Sequence, residues 1–123
     1  MKNENIVVEK TYAFAIRIVK CYKYLVDEQK EFTLAKQMLR SGTSIGANVE
    51  EAIGGQSDKD FLSKMAIAYK EARESHFWIR LLRDTEIINI KVAESLLTDN
   101  EEILKLIGSI IKTLKSKIPN NNS

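Results

Sequence analysis

The stretch Gln37 to Ile53 reads QMLRSGTSIGANVEEAI. Its apolar residues recur at helical spacing, yet Gln37, Arg40, Ser41, Ser44 and Asn48 stand among them. A plain surface helix keeps its polar residues off its apolar stripe. Here they alternate with Gly42, Gly46 and Ala47, small residues that let another backbone come close. Leu34, Met38, Ser41, Ile45, Asn48 and Ala52 line one face, and Leu39, Gly42, Gly46, Val49 and Ile53 a neighbouring one. Each internal glycine costs a helix roughly 1 kcal/mol relative to alanine. That cost makes sense where a second helix packs tightly. Polar groups held so near a core must find partners. The segment therefore predicts a helix over about 33–53 that carries the specificity of a helical fold. Gly54-Gly55 ends it, since glycine accepts the left-handed conformation of a C-cap.

Upstream, a first helix is predicted over about 5–30. Tyr12, Ala15, Ile16, Val19, Tyr22 and Val26 follow helical spacing, with Ile18 and Leu25 beside them. A short polar link around Gln29 to Phe32 joins the two. Downstream, Ser57 with Asp60 resembles a capping box and opens a third helix over about 57–84. Its stripe is Phe61, Met65, Ala68, Ala72, Ser75, Ile79 and Leu82, small in the middle and large at the ends. The closest approach to a neighbour is expected between Ala68 and Ser75. A fourth helix over about 89–116 has Val92, Leu96, Ile103, Leu106, Ile107, Ile110, Ile111 and Leu114 on its apolar side. Thr98 with Glu101 is a competing start signal, but Val92 and Leu96 already keep the period. One continuous helix is the reading. Ile118-Pro119 stops it, and a disordered tail is expected over 120–123.

Each predicted helix is roughly 37 Å long at about 1.5 Å per residue. The links are short, so sequence neighbours pack antiparallel. The fold class is all-α: an antiparallel up-down-up-down four-helix bundle, one domain over 1–119. The 123 residues contain five glycines and one proline, which suits long helices. The single Cys21 has no disulfide partner, and with the lone His76 it falls short of a metal set. The N-terminus lacks the apolar run of a signal peptide, and no uncharged stretch is long enough for a bilayer. A cytoplasmic protein without membrane contact is expected.

Catalytic constellations are hard to find. A di-iron bundle needs Glu-x-x-His on two helices, but Arg73 stands three residues before His76. Glu71 and Glu74 share a face and are read as pairing with Arg40 or another cation across the bundle rather than as an acid/base pair. His76 reads as a partly buried or surface histidine, and Cys21 as a small apolar filler. Ser41 and Ser44 lack a base nearby in sequence and are read as bonding to helix carbonyls or across an interface. No catalytic residue, metal site or cofactor is assigned.

The basic residues invite two readings. Lys105, Lys112, Lys115 and Lys117 follow the last acid of the fourth helix, while Asp84 to Glu102 holds six acids and only Lys91. In one reading the lysines complement Glu50, Glu51, Asp58 and Asp60 on neighbouring helices. In the other they face phosphates. The net charge of +2 is modest, but several copies in a ring would add such stripes into a strong field. Few aromatics interleave with the lysines. Tyr12, Tyr22, Tyr24, Phe14 and Trp78 exceed what one small stripe needs, which suggests a protein partner for some of them.

Gln37–Ile53 resembles the signature of the four-helix-bundle proteins named for 23S ribosomal RNA intervening sequences. Asp60–Leu82, DFLSKMAIAYKEARESHFWIRLL, resembles that family's third-helix pattern of small residues, paired Glu and Trp. The likeness spans about Tyr12 to Lys115. Family members are similar to the accessory protein of diversity-generating retroelements, a five-subunit barrel that binds nucleic acid and assists a reverse transcriptase. The resemblance implies a bacterial homo-oligomer, a pentamer, without enzymatic activity. Gln37, Arg40, Ser41, Ser44, Asn48 and Glu50, with Glu71 and Glu74 on the third helix, then stand as determinants of packing and assembly. Two functions follow: association with structured RNA or other nucleic acid through the terminal lysines, or an oligomeric scaffold for a protein partner.

Overall fold

The computed structural model describes residues 2–118, with side chains from Glu4 onward. Four helices account for nearly all of it: α1 Lys2–Asp27, α2 Thr33–Ile53, α3 Asp58–Asp84 and α4 Ile90–Lys117. The expected tail over 120–123 lies outside the described residues.

Cross-helix contacts fix the directions. An added Cβ at Gly42 would meet Ile18, and one at Gly46 would meet Thr11. Ser41 meets Ser75, and Glu51 meets Lys64. Asn100 meets Ala72, and Glu94 meets Arg83. Arg17 meets Asp99, and Lys10 meets Glu102. In every pair one number rises as the other falls, so each helix runs opposite to its two neighbours. The chain is an all-α four-helix bundle closed by the α1–α4 seam, which is the sparsest of the four.

The α2 glycines serve α1. A Cβ at Gly42 would sit 2.8 Å from both Cγ1 and Cγ2 of Ile18, and one at Gly46 would sit 3.3 Å from the Thr11 carbonyl. Backbone and side chain thus interlock where α2 is bare. The buried face of α2 is Ala35, Met38, Ser41, Gly42, Ile45, Gly46, Val49 and Ala52. Leu34 and Asn48 are only half-buried, and Ile53 is exposed. The expected faces were therefore slightly rotated. The small residues draw the neighbours in, and the buried arc centres on them.

A larger correction falls on α1. Its buried stripe is Val7, Thr11, Phe14, Ile18, Cys21 and Leu25. Tyr12, Ile16 and Val19 of the expected stripe are 65%, 43% and 37% exposed. The two stripes are one residue, about 100°, apart. Thr11 and Cys21 make the true one look broken. Thr11 fits because its hydroxyl donates back to the Val7 carbonyl at 2.7 Å.

The helix ends have local causes. α1 stops at Asp27, short of the expected Lys30, because the chain reverses there. Lys30 takes a left-handed φ of 56°, and the Glu31 N–H reaches back to the Leu25 carbonyl at 2.9 Å. Glu31 Oε2 then accepts the Leu34 N–H at 2.8 Å, capping α2 from outside. α2 ends at Gly54 with φ −82° and ψ 1°. No described glycine has positive φ, so the expected left-handed glycine cap is replaced by a tight turn. Gly55 answers a steric need instead, since a Cβ there would lie 3.1 Å from the Ala52 carbonyl. Ser57 Oγ accepts the Asp60 N–H at 3.1 Å and starts α3.

α3 buries Met65, Ala68, Ala72, Ser75, Ile79 and Leu82. Asn89 caps α4, its Oδ1 accepting from the Lys91 N–H at 2.8 Å. α4 passes Thr98 without a break. Its interior is Ala93, Leu96, Leu97, Asn100, Ile103 and Ile107. Val92, expected inside, is 43% exposed, because the inward register runs through Ala93. Ile118 leaves in extended geometry, as a residue before proline does.

Candidate functional site

The polar residues of the α2–α3 seam come together in graded depth. Ser41 is fully buried and accepts a hydrogen bond from Ser75 at 3.0 Å. Ser44, half-buried, donates to the Arg40 carbonyl at 2.6 Å, and Asn48 donates to the Ser44 carbonyl at 2.8 Å. Glu74 accepts from Trp78 Nε1 at 3.0 Å and lies 3.8 Å from the Arg40 guanidinium. That pair is largely exposed and contributes little to stability. Glu71 is half-buried, and its Oε2 is shut off from solvent with no donor. Gln37 is half-buried, while Arg40 and Glu50 are exposed. Ser41, Ser44, Asn48 and Glu74 thus bond to backbone and neighbouring side chains, and none of these hydrogen bonds joins a nucleophile to a base.

Two polar residues that the pattern did not single out are fully buried. Thr11 sits in the α1 stripe. Asn100 donates from Nδ2 to the Ala72 carbonyl at 3.0 Å, while its Oδ1 has no donor. Burial pushes the Cys21 thiol up to about 11, so it stays protonated and inert near neutrality. His76 Nε2 lies 2.9 Å from Glu101 Oε2 at the α3–α4 edge. Among the described residues, no three His, Cys, Asp or Glu side chains are placed to hold a metal ion.

Charge is sorted by position. The acids in the first half of α4 are tied to neighbouring helices: Glu94 to Arg83, Asp99 to Arg17, Glu101 to His76 and Glu102 to Lys10. Lys105, Lys112, Lys115 and Lys117 are exposed, and none reaches a carboxylate among the described residues. Of the expected complement, Asp58 lines the same groove as Lys117 without an ion pair. Glu51 pairs instead with Lys64 at 2.8 Å.

The outward face of α3 extends this basic surface. Lys59, Lys70 and Arg73 are exposed and also lack ion-pair partners among the described residues. Arg80 continues the face, its guanidinium 6.0 Å from the Phe77 ring centre. Residues 59, 63, 66, 70, 73, 77 and 80 recur at helical spacing. That spacing was readable, but acids interspersed along α3 hid it. Between the basic edges of α3 and α4 runs a groove lined by Leu62, Ala66, Tyr69, Gly108 and Ile111, with Lys59 and Lys115 beside it.

A second surface is apolar. Tyr12, Ile16 and Val19 line the outside of α1, and Tyr24 and Val92 flank a groove over Cys21 between α1 and α4. Phe14 is buried and Tyr22 half-buried. No helix is long and apolar enough among the described residues to cross a membrane.

Among curated proteins none matches significantly. A crystal structure at 1.70 Å, of a protein of unknown function from the S23 ribosomal protein family of Bacteroides thetaiotaomicron VPI-5482, is 54% identical. The match covers 89% of this chain and 98% of that one, with a TM-score of 0.88. The model of the 23S rRNA-intervening sequence proteins matches residues 3–109. With most of its length accounted for by that model, the chain belongs to the 23S rRNA-intervening sequence protein family.

Proposed function

We propose that this protein is a non-enzymatic, homo-oligomeric binder of structured RNA. The observation that carries the reading is the sorting of charge on α3 and α4. Glu94, Asp99 and Glu102 of α4 pair with cations across helix seams and Glu101 meets His76, while Lys59, Lys70, Arg73, Lys105, Lys112 and Lys115 face outward without carboxylate partners among the described residues. Cations without carboxylate partners thereby flank the α3–α4 groove on both edges, where they can displace counterions from a phosphate backbone. The family's name, which refers to 23S rRNA, supports the choice of RNA. Self-association into a ring of five, implied by the resemblance, would multiply the surface. The exposed Tyr12, Ile16 and Val19 stripe supplies apolar area for a subunit contact.

The test is titration of a labelled RNA hairpin at several salt concentrations. Steep loss of affinity with salt is expected, and Lys70→Glu with Lys112→Glu should weaken binding and flatten the slope by about one unit per lost contact. No affinity at low salt would remove the reading.

The same α1 stripe favours a second reading, an oligomeric scaffold for a protein partner without nucleic-acid contact. It predicts that Ile16→Glu abolishes assembly, as read by light scattering, while the charge reversals on α3 and α4 have no effect on function.

A further inference from the structure

We infer that the α3–α4 groove is a pocket for an unpaired nucleotide of a structured RNA, with Tyr69 as its stacking platform; this rests on the RNA-binding reading above. The groove is open to solvent and offers about 820 Å³. Leu62, Ala66, Ile111 and Ile118 make it apolar, and no acid lines it. Lys59 stands at its α3 edge and Lys115 at its α4 edge. Lys70 and Arg73 continue the α3 side, and Lys105 and Lys112 the α4 side. An apolar slot between two rows of unpaired cations suits a base flanked by its own phosphates.

Gly108 adds an independent argument. Glycine weakens a helix interior and needs a reason. At Gly42 the reason is Ile18, but an added Cβ at Gly108 would meet only Tyr69 Cε2, at an ordinary 3.5 Å. Packing within the subunit therefore does not require this glycine. Its effect is to keep the groove floor beside the Tyr69 ring edge bare of a side chain. Sequence-specific or feature-specific RNA binding commonly uses unpaired bases stacked on aromatic side chains. Tyr69 is far from the lysines of α4 in sequence, and only the folding of α3 against α4 puts the ring between the two basic rows.

The experiment compares two labelled hairpins of equal length with the full chain at low salt, one fully paired and one carrying a single-nucleotide bulge. The bulged hairpin should bind about fivefold tighter or more. Tyr69→Leu and Gly108→Leu, each checked for folding by circular dichroism, should bring that ratio near one. A ratio that survives both variants overturns the pocket. Salt-dependent binding with a ratio of one in the wild type overturns the pocket while leaving the basic-face reading intact. Binding to neither hairpin overturns both. If Gly108→Leu changes only the size of the assembled particle, the groove belongs to a second copy and the proposal fails.

Discussion

Ser75 donates to Ser41 at 3.0 Å across the α2–α3 seam, and both side chains are fully buried. The dependence runs mainly one way. Removing the Ser41 hydroxyl leaves Ser75 Oγ desolvated without its acceptor, whereas Ser41 also donates to the Met38 carbonyl at 3.4 Å, and removing both hydroxyls leaves neither to satisfy. Ser41→Ala should therefore cost about 1–2 kcal/mol in urea unfolding. The double variant with Ser75→Ala should recover most of that loss. Additive losses would mean the two hydroxyls are not coupled.

Gly42 and Ile18 are coupled by shape. Alanine at 42 would gain roughly 1 kcal/mol of helix propensity, but its Cβ would overlap Ile18 at 2.8 Å. Overpacking of this kind costs about 1–3 kcal/mol. Gly42→Ala should lower the melting temperature in the wild-type background. With Ile18→Ala already present, the same change should stabilise. A melting temperature that falls equally in both backgrounds would show that the α1–α2 spacing is set elsewhere.

Glu86 has a left-handed φ of 63° and closes α3. Its N–H bonds the Arg83 carbonyl at 3.0 Å, and the Ile87 N–H bonds the Leu82 carbonyl at 3.0 Å. This is the position of a Schellman cap where glycine is preferred. Glu86→Gly should raise stability by about 0.5–1 kcal/mol in chemical denaturation, since the left-handed strain outweighs the added flexibility of the unfolded chain. A loss of stability would count against that balance.

Cys21 gives a prediction about pH. Burial raises its thiol from 9.0 to about 11, so the native state holds its proton longer than the unfolded chain. The sign follows: this contribution is complete below pH 9 and is lost as pH rises through about 11. At pH 8, alkylation of the folded protein should be about 100-fold slower than that of the denatured chain from thiolate fraction alone. Equal rates would place the thiol in open solvent.

The core stripe of α3 was legible because it is a single uninterrupted run of small and apolar residues bordered by charges. α1 was not. It is apolar around much of its circumference, and hydrogen bonding of Thr11 to its own helix lets a polar residue enter the core. The candidate RNA surface was half legible. Lysines at the end of α4 stand alone in the sequence, so their clustering shows. Lys59, Lys70 and Arg73 are diluted by acids that fold onto other faces. Tyr69 joins them only through tertiary packing, which no local pattern records.

Asn100 places one amide in an otherwise oily neighbourhood and points it at a single carbonyl, that of Ala72. Were α4 to slip along α3 by half a turn, about 2.7 Å, the hydrophobic groups could find substitutes but this amide would lose its carbonyl. Slippage would strand a dry donor, at a cost of about 1–3 kcal/mol. The bundle is thereby indexed like a notched rule: its long helices, which grease alone would let slide, have one setting.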